Sequence, residues 1–281
     1  MHRYIIQRVL QLIPILFGIT FLTFSLMQFT QDDAVDHLYE QSGTAVSEEV
    51  KEQKRAELGL DQPFLVQYGH WLKGAATGDM GISYISGKRV FESFSEKLPM
   101  TVELMLVSIA MTLLIAIPFG ILSAARQNTT LDLCVRFLTF IGNSLPNFFV
   151  ALLLIYFLAL KLNLFPIMGS RENAASVFLP ALTLAISMSA KYTRQIRAAV
   201  LEELGKPYVA GARSRGISEW TILTRSVLRS SFITIITLLA LSIGSLLGGT
   251  AIVETIFMWD GVGKMAVDAI LSRDYPLIQA Y

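Results

Sequence analysis

The sequence predicts an all-α fold, a polytopic bundle of transmembrane helices, and three observations carry that prediction. Apolar residues make up 53% of the 281 and charged residues only 16%, with a mean hydropathy of +0.54. A soluble domain is about one-quarter charged, so this composition points away from water. Apolar segments recur along the chain, each near the ~20 residues that cross the hydrocarbon. Lys and Arg collect at alternate ends of those segments, as the positive-inside rule requires.

Residues 1–30 hold the first transmembrane helix. His2, Arg3 and Arg8 precede an apolar run from Val9 to Phe29. That run is too long for a signal-peptide core and no Ala-x-Ala-like site follows, so it reads as a retained anchor. Residues 31–98 form a polar, extracytoplasmic segment with more Asp and Glu than Lys and Arg. Within it, Ser47–Leu58 reads as a Ser-capped, charged surface helix. Gly69–Gly87, rich in glycine and aromatics, reads as packed loop. Residues 99–281 form the remaining transmembrane domain. Its apolar segments run from Thr101 to Ala125, from Leu133 to Leu160, from Val177 until they fade by Lys191, and from Phe232 to Phe257. Pro14 and Gly18 interrupt the first helix, Pro118 and Gly120 the second.

Charge placement orients these spans. Arg3, Arg8 and Arg126 fall on one side, together with a cluster of Lys191, Arg194, Arg197, Lys206, Arg213, Arg215, Arg225 and Arg229. That side is cytoplasmic, with the N-terminus inside. Five spans then leave Tyr281 outside or re-entering the membrane.

Polar groups at membrane depth are the next signal. The third apolar segment contains Gly142-Asn143-Ser144-Leu145-Pro146-Asn147, whose polar groups lipid cannot satisfy. Asn143, Ser144 and Asn147 therefore line a translocation path, or else hydrogen-bond between helices to hold the bundle. Glu254, at the outer end of a long apolar run, reads either as an outer-gate residue or as a fold-level pairing group. Glu103 is placed to reach headgroups and Arg136 to snorkel. Gly244, Gly248 and Gly249 form a small-residue face suited to close helix packing, or to a pore or subunit interface. Trp71, Trp220 and Trp259 fall near expected membrane interfaces. The lone Cys134 reads as a small buried side chain and excludes an internal disulfide.

Several chemistries are missing. The nearest approach to a phosphate-binding loop, Gly81 to Gly87-Lys88, is one residue too long and continues with Arg89 in place of Ser or Thr. Gly-x-Ser-x-Gly and His-Glu-x-x-His are absent, which argues against a membrane hydrolase. His2, His37 and His70 lack ligand spacing, so no metal site is expected. An ion-gradient-driven transporter would need an intramembrane carboxylate relay, which Glu103 and Glu254 stand too near the ends to supply. If ATP drives this protein, another chain hydrolyses it.

The cytoplasmic loop 200–229 holds the sharpest feature. From Tyr208 it reads Tyr-Val-Ala-Gly-Ala-Arg-Ser-Arg-Gly-Ile-Ser-Glu-Trp, a helix, a break at Gly216, then a second amphipathic helix. Small residues Ala210, Gly211 and Ala212 admit a close partner surface. The same loop could instead be a basic stretch held by anionic headgroups.

Ala212-x-x-x-Gly216, followed by Leu228-Arg229, resembles the Glu-Ala-Ala loop of binding-protein-dependent ABC importers, with Ala210 and Gly211 in the triplet's first two positions. Leu58-Gly59-Leu60-Asp61-Gln62-Pro63, Gln67-Tyr68, Trp71 and Gly78-Asp79-Met80-Gly81-Ile82-Ser83 resemble the peptide and nickel branch. So do Val253-Glu254-Thr255-Ile256-Phe257, Gly261-Val262-Gly263 and Ser272-Arg273-Asp274-Tyr275-Pro276-Leu277-Ile278-Gln279. The chain is thus similar to B-type permeases of dipeptide, oligopeptide and nickel ABC importers. The resemblance implies a type I importer permease fold in a bacterial cytoplasmic membrane. It also implies a homologous second permease, two ATP-binding subunits using ATP and Mg, and an extracytoplasmic substrate-binding protein. No cofactor bound by this chain and no nucleic-acid partner are expected. Tyr208, Val209, Ala210, Gly211, Ala212, Gly216 and Ile217 would form the coupling helix in the ATPase groove, and the segment around Glu254 to Asp260 the outer loop. Gln31-Asp32-Asp33-Ala34-Val35 departs from the family's Pro-Gly-Asp-Pro turn. Family members continue past the Tyr-Pro-x-Ile-Gln block into a final helix, so this chain is expected to lack it. Leu-Asp-Gln-Pro, Gly-Ile-Ser, Ser-Leu-Pro-Asn-Phe and Pro166–Gly169 look closest to nickel permeases, with peptide permeases as the alternative.

Overall fold

Caps and apolar runs set the helix boundaries in the computed structural model, which describes residues 2–29, 34–41, 46–170 and 173–281. Gln31, Asp32 and Asp33, and the side chains of His2 and His37, lie outside the described residues. The chain divides into two units, Met1–Lys97 with Met265–Tyr281, and Leu98–Lys264.

In the first unit, α1 (His2–Phe29) is a long apolar helix with most side chains exposed, as lipid-facing residues are. After α2 (Ala34–Gln41) and α3 (Glu48–Glu57) comes α4 (Phe64–Thr77). Tyr68 of α4 is buried against α1. Its ring meets Phe17, Phe21 and Phe24 edge-on, and its hydroxyl lies 3.0 Å from Thr20 Oγ1. The expected surface helix is present as α3, which buries no residue. Ser47 stands at its N-cap with extended backbone, yet its side chain makes no capping bond. Lys51 and Arg55 pair instead with Asp36 of α2.

The expected loop at Gly69–Gly87 is half wrong, because its first nine residues continue α4. Pro63 precedes the helix, and Gly78 ends it with a left-handed φ of 84°. Gly74 inside the helix allows Asp79 N to bond Gly74 O at 2.9 Å, since a Cβ there would meet Asp79 O at 2.7 Å. Beyond the helix, the block containing Ser83 reaches the chain's other end. Ser83 Oγ donates to Asp274 at 2.5 Å and Tyr84 N at 3.1 Å, just before α14 (Tyr275–Ala280). Burial, with Asp274 close by, pushes the Tyr84 hydroxyl up to about 12.

α5 (Val90–Ala125), most of which belongs to the second unit, begins about three turns earlier than expected and carries Pro99 and Pro118 inside. The apolar segment Leu133–Leu160 is two helices, α6 (Thr130–Ser144) and α7 (Asn147–Leu154), the latter continued by a π turn through Lys161. Pro146 denies the backbone donor that a continuous helix needs, and the two halves bend by 103°. α8 (Phe178–Leu204) runs well past Lys191 and carries the expected basic cluster's first members. Then follow α9 (Pro207–Ser214), α10 (Glu219–Thr221), a π turn at Ile222–Val227, α11 (Leu228–Gly249), α12 (Ala251–Ile256) and α13 (Val262–Leu271), of which Val262–Lys264 belong to this unit. Four described helices are long and apolar enough to cross a membrane, or five stretches if the bent pair counts as one.

Two hydrophobic clusters hold this unit. One gathers Leu104, Leu179, Leu184, Phe257 and Trp259, the other Ile196, Val200, Val209, Ile222 and Val227. Trp259 is therefore a core residue, its indole donating to Met100 O at 2.9 Å, not an interfacial anchor. Cys134 is exposed, not buried. Among the described residues, nothing stands within 4 Å of a Cβ added at Gly244, Gly248 or Gly249.

Candidate functional site

The loop after α8 folds as a small, self-closed helix. Lys206 takes the N-cap position and Pro207 the first turn of α9, where a missing N–H costs nothing. Gly216 has φ +77°. Its N–H bonds Arg213 O at 2.9 Å and the Ile217 N–H bonds Ala212 O at 3.2 Å. This pair of bonds is a Schellman motif, and only glycine takes its left-handed position without strain. Arg213 then forks onto Glu219 across the turn, at 2.6 and 3.0 Å, and the carboxylate raises the guanidinium's pKa. Tyr208 donates to Glu203 at 2.9 Å, and Lys206 pairs with the same carboxylate.

Burial divides the predicted coupling residues by face. Val209 and Ala212 turn inward onto Ile196, Val200, Ile222 and Val227, at the i, i+3 spacing of one helix stripe. Tyr208, Ala210, Gly211, Gly216 and Ile217 turn outward, beside the exposed Trp220. A Cβ added at Gly211 or Gly216 would meet nothing within 4 Å. The result is a helix anchored on one side and bare on the other.

The remaining predicted residues separate. Asn143 and Ser144 are exposed at the end of α6, with Ser144 donating back to Phe140 O. Asn147, across the bend, accepts from Ser187 of α8 at 2.5 Å. They mark the break but do not converge on one point. Glu254 is fully buried. Its carboxylate accepts from Thr101 Oγ1 at 2.8 Å, Thr250 Oγ1 at 2.9 Å and Lys264 N at 2.9 Å. Gly261 and Gly263 give it room, because a Cβ on Gly263 would stand 2.9 Å from Glu254 Oε2. These contacts tie Glu254 to the turn between α12 and α13.

The sequence reading missed another buried carboxylate of the second unit. Asp132, in the first turn of α6, is fully buried. It accepts a fork from Arg197 of α8 at 2.8 and 2.9 Å, Ser123 Oγ of α5 at 2.5 Å, and Asn128 N at 3.0 Å. Arg136, expected to snorkel, lies half-exposed 3.8 Å from it. Thr129 followed three residues later by Asp132 is a capping-box spacing, so a local role was legible. Its partner 65 positions away was not. Among the described residues, no three His, Cys, Asp or Glu side chains come together as a metal site would require.

With this geometry in place, comparison with known proteins is direct. Residues 116–281 match the model of the binding-protein-dependent transport system inner membrane component, and residues 1–105 that of the N-terminal part of such components. The oligopeptide transport system permease AppB of Bacillus subtilis is 38% identical, over 100% of this chain and 91% of that protein. The metal-staphylopine import system permease CntB of Staphylococcus aureus is 31% identical, over 100% and 90%. The glutathione transport system permease GsiC of Escherichia coli is 32% identical, over 100% and 90%. Among solved structures, the inward-facing MetNI methionine ABC transporter aligns with a TM-score of 0.55 at 16% identity, over 66% of this chain and 86% of that one. The chain belongs to the binding-protein-dependent ABC importer permeases, in the B-type peptide and nickel branch, and has the type I importer permease fold.

Proposed function

We propose that this integral membrane permease subunit couples ATP hydrolysis in partner subunits to solute import, and that α9 is the element those partners grip. The observation that carries the reading is the two-faced α9: Val209 and Ala212 anchor it, while on its exposed side Gly211, and Gly216 just beyond its end, leave open space beside the backbone. A partner groove can approach the backbone there. Movement of the groove is then passed through Val209 and Ala212 to α8 and the helix after Gly216. The proposed arrangement places the N-terminus and α9 in the cytoplasm, pairs the chain with a second permease and two ATPases, and receives solute from an extracytoplasmic binding protein. Asn143, Ser144 and Asn147 stand as pathway candidates at the α6–α7 break.

The cargo we propose is a peptide or a peptide-like chelate of a divalent metal such as nickel. Support comes from relatives named for oligopeptide, glutathione and metal-staphylopine transport, and from the nickel-like sequence blocks. The test is Gly211→Trp in the assembled complex in liposomes with its binding protein. The bulky ring points into open space, so the fold survives; ATP-dependent uptake is expected to collapse with the permease still correctly inserted. Unchanged uptake would refute the coupling role of α9. Offering a peptide and a nickel chelate in parallel decides the cargo; uptake of neither by the unmodified complex would refute the proposed class.

A further inference from the structure

We propose that Asp132 and Arg197 form the joint through which α6 follows the motion of α9, a positioning role that rests on the coupling function proposed above. The cluster beneath α9 contains side chains of α5, α8 and the helix following α10, but none from α6. Motion taken up by Val209 and Ala212 therefore reaches α5 and α8 by direct packing. α5 is fastened to α8 beside that cluster, where a Cβ on Gly120 would stand 2.8 Å from Ile196 Cγ2 and 3.1 Å from Thr193 O. α6 adds no side chain to this cluster and meets it through α8, against which it packs.

Two attachments of α6 to α8 stand out at its ends. At the far end of α6, Gly142 packs on α8, where an added Cβ would meet Ala190 Cβ at 3.0 Å. At the near end, Asp132 takes the fork of Arg197, one residue after Ile196 of the cluster, and the hydroxyl of Ser123, one residue before Ala124 of the same cluster. Between them lies a cavity of about 170 Å³, bounded by Phe119, Val135, Thr139, Ser189 and Thr193 among others. α6 and α8 pack against each other along their facing lengths beside this half-open pocket. At the end nearest α9 the carboxylate adds a directed bond to that packing. A planar bidentate pair resists both sliding and rotation, which a single hydrogen bond does not.

The consequence concerns the α6–α7 break. α6 ends at Asn143 and Ser144, so a helix held by Asp132 carries the break with α8 when α9 moves. Loosening the joint should leave ATPase docking on α9 intact and uncouple hydrolysis from transport.

The experiment measures solute imported per ATP hydrolysed, using the complete complex with its binding protein in liposomes. Variants are Asp132→Asn, which keeps shape and loses charge, and Arg197→Lys, which keeps charge and loses the fork. Asp132→Asn is expected to retain hydrolysis while import per ATP falls about tenfold, within the range of ordinary coupling energies. Arg197→Lys should give an intermediate ratio. A ratio equal to the unmodified complex in both variants would overturn the proposal. So would loss of hydrolysis and import in equal proportion, or failure of both variants to assemble, because either makes the pair only a folding element. Gly211→Trp serves as the separate control: if it leaves uptake unchanged, the coupling function of α9 fails, whatever the Asp132 variants show.

Discussion

Glu254→Ala separates a structural carboxylate from a gate. In the native chain two buried threonine hydroxyls and one backbone N–H end on this side chain, from Thr101, Thr250 and Lys264. Alanine removes both acceptor oxygens, deprives all three donors of their acceptor, and leaves an empty volume beside Gly261 and Gly263. Each buried donor deprived of its acceptor costs about 1–3 kcal/mol. A threonine hydroxyl on a helix recovers part of this by turning back to a carbonyl. The sum is on the order of 3–5 kcal/mol, a large fraction of the ~5–15 kcal/mol that holds a typical domain. Glutamine has nearly the same shape and keeps one acceptor oxygen, so Glu254→Gln should cost about 1–2 kcal/mol. Thermal melting of the purified complex reads both. At roughly 2–4 °C per kcal/mol, alanine lowers the midpoint by on the order of 10 °C and glutamine by only a few. Import, normalised to assembled complex, should stay near the unmodified level in the glutamine variant. The reasoning fails if the alanine variant melts with the parent yet imports nothing. Glu254 would then act on the pathway and not on the turn.

Two further outcomes follow from the geometry. Gly216→Val forces a β-branched residue to φ +77°, costing at least about 1–2 kcal/mol at the Schellman turn; co-purification of the ATPases should fall, with the membrane helices still inserted. Ser83→Ala removes the hydroxyl that Asp274 binds at 2.5 Å, a buried charge-assisted bond worth roughly 1.5–3 kcal/mol; limited proteolysis around Tyr84 and Tyr275 should accelerate.

The apolar runs, the family blocks and the split personality of loop 200–229 were legible because each depends on neighbours in sequence. Gly216 is the clearest case: a helix followed by a glycine needs only local geometry to be read as a capped stop. Local signals also misled. The glycines of α4 suggested a loop, but Pro63 and Gly78 bound a helix around them, and Gly74 serves the cap rather than breaking the turn. Pro146 was noticed inside a span, yet the size of the bend depends on how α7 and Ser187 meet. The buried carboxylates of the second unit were the least readable. Glu254 and Asp132 are defined by partners 153 and 65 positions distant, and nothing in a single sequence pairs Asp132 with Arg197 in preference to the other arginines of that cluster.

Both carboxylates converge on α5, and the helix shows why they stand where they do. Thr101, Ser108, Thr112 and Ser123 are all buried, with at most 1% of each exposed. Their spacings of 7, 4 and 11 residues place them along one stripe, within about 60° of one another at 100° per residue. Yet the four hydroxyls behave differently. Ser108 donates to Leu104 O at 2.6 Å and Thr112 to Ser108 O at 2.7 Å, so the middle pair satisfy themselves within the helix. The end pair reach outward, Thr101 to Glu254 and Ser123 to Asp132. Thr101 and Ser123 are about 33 Å apart along the axis at 1.5 Å per residue, close to the roughly 30 Å of a bilayer's hydrocarbon. Inside that thickness an ionised side chain is expensive and a hydroxyl must find its acceptor locally. At the two edges a carboxylate becomes affordable when several donors surround it. The stripe is about as long as the hydrocarbon is thick, and a polar clamp stands at each end of it. One clamp holds the turn between α12 and α13; the other ties α5 and α6 to α8 beside the helix that the ATPase is proposed to grip.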